Sequence, residues 1–263
     1  GDPGRTKFFV SLEDDLMKNW GPDWIQDTYQ DYDVEERIGA TKPLTKRKYK
    51  NLVGRAQNAS ESSSQASRRM TLEFAESMNI QRDIIYKERN RLIKQEGRLD
   101  VIVEQIVREV FMRVADNKDY IDPIAFYRYI LDNVSYQVDP QTTHRSFRSK
   151  KTKKNFLWEI AQRELEAKYE ILGTDEVIAQ FQRMAILKAI DENWVEQVDY
   201  LQQLRMALSG QYTSQKNPLV EFFQEAYQSF ERMKEAAKEQ MVRNLLLSRV
   251  EINKKGEIVL HFP

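Results

Sequence analysis

No cysteine occurs among the 263 residues, which excludes disulfides, thiol catalysis and thiolate-held zinc and fits a reducing compartment such as the cytosol. The two histidines, His144 and His261, stand far apart in sequence, so neither a histidine metal cluster nor a histidine-based catalytic group is expected. Glycine (9) and proline (7) are sparse, which leaves little punctuation and favours long uninterrupted helices. Neither sign of charge is in excess: 41 basic residues balance 41 acidic ones, against a general nucleic-acid binder. No apolar run approaches the roughly 20 residues of a membrane span, so any membrane contact is expected to be peripheral or through a partner. What remains is a water-facing chain, 31% charged and 41% hydrophobic, long enough for one large domain or two.

The chain opens on turn chemistry, Gly1-Asp2-Pro3-Gly4, and then Phe8 to Leu12, a short apolar run with strand propensity. Trp20 to Pro43 is irregular and aromatic, punctuated by Gly21-Pro22 and Lys42-Pro43, and reads as a surface connection. From Leu44 to about Glu96 there is no proline, and Leu52, Ala56, Ala59, Ser63, Ala66, Met70, Phe74, Met78, Ile85 and Leu92 make one helical stripe. Such a helix is too long for a small globule to bury and is expected to be a strut. The serine-rich run Ser60 to Ser67 would pass for a linker, but the stripe keeps its phase, which favours a continuous helix with a thin polar waist where another element packs closely.

Gly97 sits where a helix C-cap belongs, and the texture then changes. Val101 to Val114 is a strongly apolar helix, Asp122-Pro123 starts a second, and a loop with Asp139-Pro140 precedes a basic run (Arg145, Arg148, Lys150, Lys151, Lys153, Lys154) and a helix from about Asn155 to Ile171. The run invites a nucleic-acid or anionic-lipid reading; without interleaved aromatics the better account is a solvated face.

Thr174-Asp175 starts a helix with the stripe Val177, Phe181, Met184, Leu187, Ile190, Trp194, Val198, Leu201, Leu204 and Leu208. Gly210 and the polar run to Asn217 break it, and Pro218 starts another with Leu219, Phe222, Ala226, Phe230, Met233, Ala237, Met241 and Leu245. Two amphipathic helices joined by a short polar loop zip into an antiparallel hairpin. After Val250 the alternation Ile252, Ile258, Leu260, Phe262 around Gly256 reads as a small β-hairpin packed on the helices.

Three stretches resemble the SecA family of preprotein translocase ATPases. They are Gly1-Asp2-Pro3-Gly4 with Phe8-Phe9-Val10-Ser11-Leu12-Glu13-Asp14-Asp15-Leu16-Met17; the strut with Ala56-Gln57, Arg68-Arg69, Leu72-Glu73-Phe74, Gln81-Arg82, Ile85-Tyr86 and Arg89; and the hairpin with Leu187-Lys188-Ala189-Ile190-Asp191, Trp194, Gln203-Leu204-Arg205 and Asn217-Pro218. The resemblance implies a mainly α fold with a very long scaffold helix, a small helical wing domain, an antiparallel two-helix finger, and short β segments at the two ends. It divides the chain into the tail of a second nucleotide-binding domain with its connection (1–43), the long scaffold helix (44–96), the wing (97–173), the finger (174–249) and a terminal strand or hairpin (250–263). It further implies that ATP and Mg bind in the full-length protein through domains upstream of Gly1, with no catalytic, cofactor or metal residue in this piece.

The finger tip, Leu208, Ser209, Gly210, Gln211, Tyr212, Thr213, Ser214 and Gln215, is the region implied to contact substrate and a SecY-type channel. The family's tip tyrosine falls at Thr213 in a gapless register, with Tyr212 one position earlier. Phe74, Arg82, Tyr86 and Trp194 are implied scaffold-packing positions. The departures at Ser64-Gln65-Ala66-Ser67 and Leu208-Ser209-Gly210-Gln211, and the end at Pro263, which is either a cut or the lack of the family's cysteine-rich tail, are taken to imply an accessory paralogue of a Gram-positive bacterium. Its implied partners are the remaining SecA domains, an accessory SecY-type channel and a preprotein, in some such systems a serine-rich surface protein, and its implied place is the cytoplasmic side of the membrane. From the residues alone two rivals stay open: a free-standing helical adaptor, and a nucleic-acid binder using Arg145 to Lys154.

Overall fold

The computed structural model describes residues 3–5, 7–25, 47–147, 149–209, 218–253 and 258–263. It divides into two compact units, Gly1–Ala75 and Glu76–Pro263. In the first, α1 (Asp15–Trp20) follows a turn in which the Ser11 amide donates to Asp14 Oδ2 at 2.9 Å. Its core is small: Met17, Ile25, Leu52 and Ala56, with Trp24 tilted against Tyr49 at 5.9 Å. Gly21 is obligatory there, since a Cβ would lie 2.3 Å from Ile25 Cδ1 and 2.4 Å from the Met17 carbonyl oxygen. The strand expected at Phe8–Leu12 does not form. These residues are irregular, with Phe8 and Phe9 89% and 84% exposed, and no described strand pairs with them. The connection at 26–43 lies outside the described residues.

A short α2 (Arg47–Lys50) leads into α3 (Leu52–Lys94), one continuous helix of 43 residues, as its uninterrupted stripe predicts. The stripe is buried only in part. Leu52, Ala56, Met70, Phe74, Ile85 and Leu92 are buried, Met78 is half-buried, and Ala59, Ser63 and Ala66 are exposed. Residues 61–69 are exposed on every face, so among the described residues no element packs on the waist. The helix persists there because its flanks carry it through a weak stretch, propagation being cheap once a helix is nucleated.

The second unit holds the rest of α3, then α4 (Asp100–Asp116), a 3-10 turn at Lys118–Tyr120, α5 (Pro123–Asn133), α6 (Pro140–Ser146), α7 (Lys150–Leu172), α8 (Asp175–Ser209), α9 (Pro218–Leu247) and the antiparallel pair β1 (Arg249–Ile252) and β2 (Ile258–His261). Asp122 caps α5 by accepting from the amides of Ile124 and Ala125, and Pro123 at the first position completes the start. Two expectations are corrected. The stretch after Asp139 is a short helix rather than a loop, because Asp139 caps it through the Thr142 amide. The next helix begins at Lys150 rather than near Asn155, set by a capping box between Ser149 and Thr152.

α8 and α9 pack along each other as the expected hairpin, α4 and α7 pack together, and α9 also meets α4, α5 and α7. One apolar cluster therefore runs from Val107, Val110, Phe111 and Leu157 to Phe230, Met233, Met241 and Leu245. Val250, Ile258, Leu260 and Phe262 of the terminal sheet pack on it, Phe262 stacked on Phe181 at 6.4 Å. The α8 stripe is wider and rotated from expectation. Met184 is exposed, whereas Ile178, Gln182, Ala185, Ile186, Asn193 and Gln197 are buried, because α8 is covered by neighbours on more than one side.

Candidate functional site

Two glycines mark the boundaries of the segment 98–172. Gly97 (φ +72°) follows α3, and Gly173 (φ +78°, ψ −55°) links α7 to α8 in a tight three-residue turn whose Thr174 amide donates to the Leu172 carbonyl at 3.0 Å. The two boundaries are tied to each other. Buried Gln182 accepts from the Leu99 amide at 2.6 Å while its Nε2 donates to Asp100 Oδ1 and to the Tyr169 hydroxyl, both at 2.7 Å. Arg98 pairs with Asp100 and Asp175 and lies over the Tyr169 ring at 4.9 Å; the hydrogen bonds to Asp100 and Asp175 raise its pKa. Burial pushes the Tyr169 phenol up.

α3 meets the α8–α9 hairpin through polar contacts at three levels. At the end of α3, Arg183 donates from Nη2 to the Gln95 carbonyl at 2.7 Å and from Nε to the Leu92 carbonyl at 3.2 Å, satisfying acceptors a helix C-terminus leaves open. In the middle, Arg89 makes a two-pronged pair with Asp191 at 2.8 and 3.1 Å, which raises the Arg89 pKa. At the third level all the groups are buried: Gln81 Nε2 donates to the Ala226 carbonyl at 2.9 Å, and Gln197 Nε2 donates to Gln81 Oε1 and Ser229 Oγ, both at 3.0 Å. Ser229 in turn donates to the Ala226 carbonyl at 3.1 Å. As residue number climbs along α8 from 183 to 197, the α3 partner falls from Leu92 to Gln81, so the two helices run antiparallel. None of these glutamines belonged to the expected set of packing residues, and Arg89 appeared only among the resembling positions. A polar residue on the apolar side of a helix was the one signal available.

Of the expected packing positions, Phe74 is buried, Trp194 is half-buried against the apolar cluster, and Arg82 and Tyr86 are exposed. Arg82 lies 3.7 Å from its neighbour Asp83. Of the expected tip, Leu208 is buried and Ser209 ends α8, while Gly210, Gln211, Tyr212, Thr213, Ser214 and Gln215 lie outside the described residues. The hairpin carries a groove of about 250 Å³ lined by Asn193, Gln197, Tyr200, Ser229, Arg232 and Met233. Beside it Glu225 accepts from the Tyr200 hydroxyl at 2.7 Å and from Arg232; these bonds hold its carboxyl below the usual range and raise the Tyr200 phenol.

The basic run divides. Lys150 pairs with Asp116 at 2.8 Å, Lys151 and Lys154 are exposed, and Lys153 turns inward to donate to the Tyr120 carbonyl at 2.9 Å with its ammonium 3.8 Å from the Phe147 ring centroid. Arg148 lies outside the described residues. Among the described residues no group of three acidic, histidine or cysteine side chains is placed to hold a metal ion, and no helix is long and apolar enough to cross a membrane.

Comparison with known proteins gives a consistent match. A family model described as the SecA Wing and Scaffold domain matches residues 43–249, and one described as the SecA P-loop domain matches residues 1–37. The chain is 49% identical over 263 residues to protein translocase subunit SecA 2 of Streptococcus gordonii, 50% identical over 263 residues to that of Streptococcus sanguinis, and 34% identical over 263 residues to that of Staphylococcus epidermidis. Each alignment covers 100% of this chain and 33% of the relative, so the chain spans about a third of the length of the curated relatives it matches.

Proposed function

The chain belongs to the SecA family, and on that premise we propose that it is the working arm of a protein translocase subunit, carrying movements of nucleotide-binding domains to a helical hairpin that pushes or clamps a preprotein at a channel. The observation that carries this reading is the three-level polar attachment of α3 to the hairpin, since a helix fastened at Arg183, Arg89–Asp191 and Gln81–Gln197 delivers displacement instead of absorbing it. In this reading residues 1–43 close the second nucleotide-binding domain, 44–96 are the scaffold helix, 97–173 the wing, 174–249 the finger and 250–263 a terminal strand pair. ATP and Mg are bound by the rest of a longer protein, and this chain alone hydrolyses no ATP. The subunit works at the cytoplasmic face of a membrane, with a SecY-type channel as partner and Leu208 to Gln215 as the region that touches channel and preprotein. Its relatives carry the name SecA 2, which supports an accessory system with a restricted clientele such as serine-rich surface proteins.

The test is photo-crosslinking from positions 212 and 213 in the full-length subunit during transport. Adducts with both a channel and a preprotein are expected, with none from exposed Lys151 on the wing. A helical adaptor would instead give adducts with some other helical partner and be indifferent to the channel.

A further inference from the structure

We propose that Gln81, Gln197 and Ser229, with Arg89 and Asp191, are positioning residues that fix the axial register of α3 against the hairpin, so that the joint cannot slip by a helical turn under load. The inference deepens the proposed function and rests on it for its consequence; the register itself is a property of the fold. The polar contacts from Gln81 to Leu92 span about 17 Å of α3, three turns, and two of them, Gln81–Gln197 and Arg89–Asp191, join side chain to side chain. Apolar burial is non-directional, so hydrocarbon contacts such as those of Ile85 and Leu92 can form again after one helix slides along another. Pairs of side chains at fixed positions cannot. A slide of one turn, about 5.4 Å, would carry Gln81 and Arg89 beyond reach of their side-chain partners Gln197 and Asp191 and leave the buried Gln81 Oε1 unpaired, while the Gln197–Ser229 and Ser229–Ala226 bonds, both inside the hairpin, persist. A buried polar group is an accepted way to select one register among several that apolar packing tolerates. Helix-past-helix ratchets of one turn occur in switching proteins, and this joint is built against that motion.

The register is readable by the distance between spin labels at introduced Asn90→Cys and Glu221→Cys, both exposed, in a chain that has no other cysteine. Gln81 lies level with Ala226 and α9 runs counter to α8, hence in the direction of α3, so the labels stand about 20 Å apart along the axis and a one-turn slip changes that distance by about 5 Å. The unaltered register gives one narrow distance. The triple variant Gln81→Leu, Gln197→Leu, Ser229→Ala is expected to keep or raise its urea midpoint while its distance distribution broadens or splits. A lowered midpoint with the single distance retained would mean these residues only stabilise, and the proposal would be wrong. Arg89→Asp carries the same test at the second level without touching the buried glutamines. It must broaden the distribution, and Arg89→Asp with Asp191→Arg must restore the single distance; a distribution unmoved by Arg89→Asp, or one still broad in the charge-swapped pair, overturns the proposal. Transport by the full-length subunit carrying the triple variant is measured apart from this. A slipping joint with unimpaired transport would sink the working-arm reading and leave the register standing.

Discussion

The segment 98–172 joins the hairpin mainly through hydrocarbon, Val107, Val110 and Phe111 sharing one apolar cluster with Met233, Ala237 and Met241 beside the ion pairs Arg113–Glu235 and Lys238–Glu109, whereas α3, which adds Ile85 and Leu92 to that cluster, also joins the hairpin through buried Gln81, Arg89 and the carbonyls that receive Arg183. The first joint is worth more free energy per side chain, because buried apolar area accumulates at about 25 cal/mol per Å² while each net hydrogen bond contributes about 1 kcal/mol. The second joint is more specific, since its contacts exist in one register only. Burial thus carries most of the strength of both joints, and directional contacts add alignment, buried at Gln81 and partly exposed at Arg113 and Lys238.

The largest expected effect breaks the stronger joint. Phe111→Ala, at a side chain 2% exposed, is expected to cost about 3–5 kcal/mol in urea denaturation. If wing and hairpin form one cooperative unit, fluorescence and far-UV transitions of the variant coincide; separated transitions would mean the two fold independently. Gln182→Ala comes next. It leaves the buried Leu99 amide without an acceptor and is expected to cost about 1–3 kcal/mol, whereas an effect under a few tenths would remove Gln182 as the tie between the two boundaries of the wing.

A third prediction concerns Lys168 of α7, buried with its ammonium donating to the Leu246 carbonyl at 2.7 Å and to Glu164 Oε2 at 3.2 Å. Burial lowers its pKa below the usual lysine value, and Glu164 only partly opposes this. Between the folded pKa and the ordinary value of 10.5 the unfolded chain holds the proton and the folded one has released it, so this group's contribution to stability rises with pH across that window. The stability of the parent minus that of Lys168→Met is therefore expected to increase from pH 8 to 10.5, and a flat or falling difference would contradict the assigned burial. The smallest effect belongs to the exposed waist of α3. Ser62→Ala is expected to change stability by no more than about 0.5 kcal/mol, by helix propensity alone. A larger loss would place a partner on that face.

Much of the fold was legible because its boundaries are written in residues with one physical meaning: Asp122-Pro123, Gly97, Gly173, Thr174-Asp175 and Pro218. α6 was hidden by Asp139-Pro140, which serves turns and helix starts alike. The first turn of α7 was hidden by a basic run with no visible apolar face, although Ser149 with Thr152 three residues on was a readable cap. The Phe8–Leu12 strand failed because strand propensity acts only beside another strand. The polar joint was the least legible part. Gln81, Gln197 and Ser229 each stand on the apolar face of their helix, four residues before Ile85, Leu201 and Met233, so periodicity marks them as buried, but which groups they pair with follows from where three helices meet, which no single helix encodes.

The most direct test of the working-arm account replaces the matching third of Streptococcus gordonii SecA 2 with this chain and measures export by a strain that carries only the chimera. The account predicts that export is restored, and that the triple register variant of the same chimera binds ATP normally but exports poorly. A folded chimera that binds ATP and supports no export would contradict it.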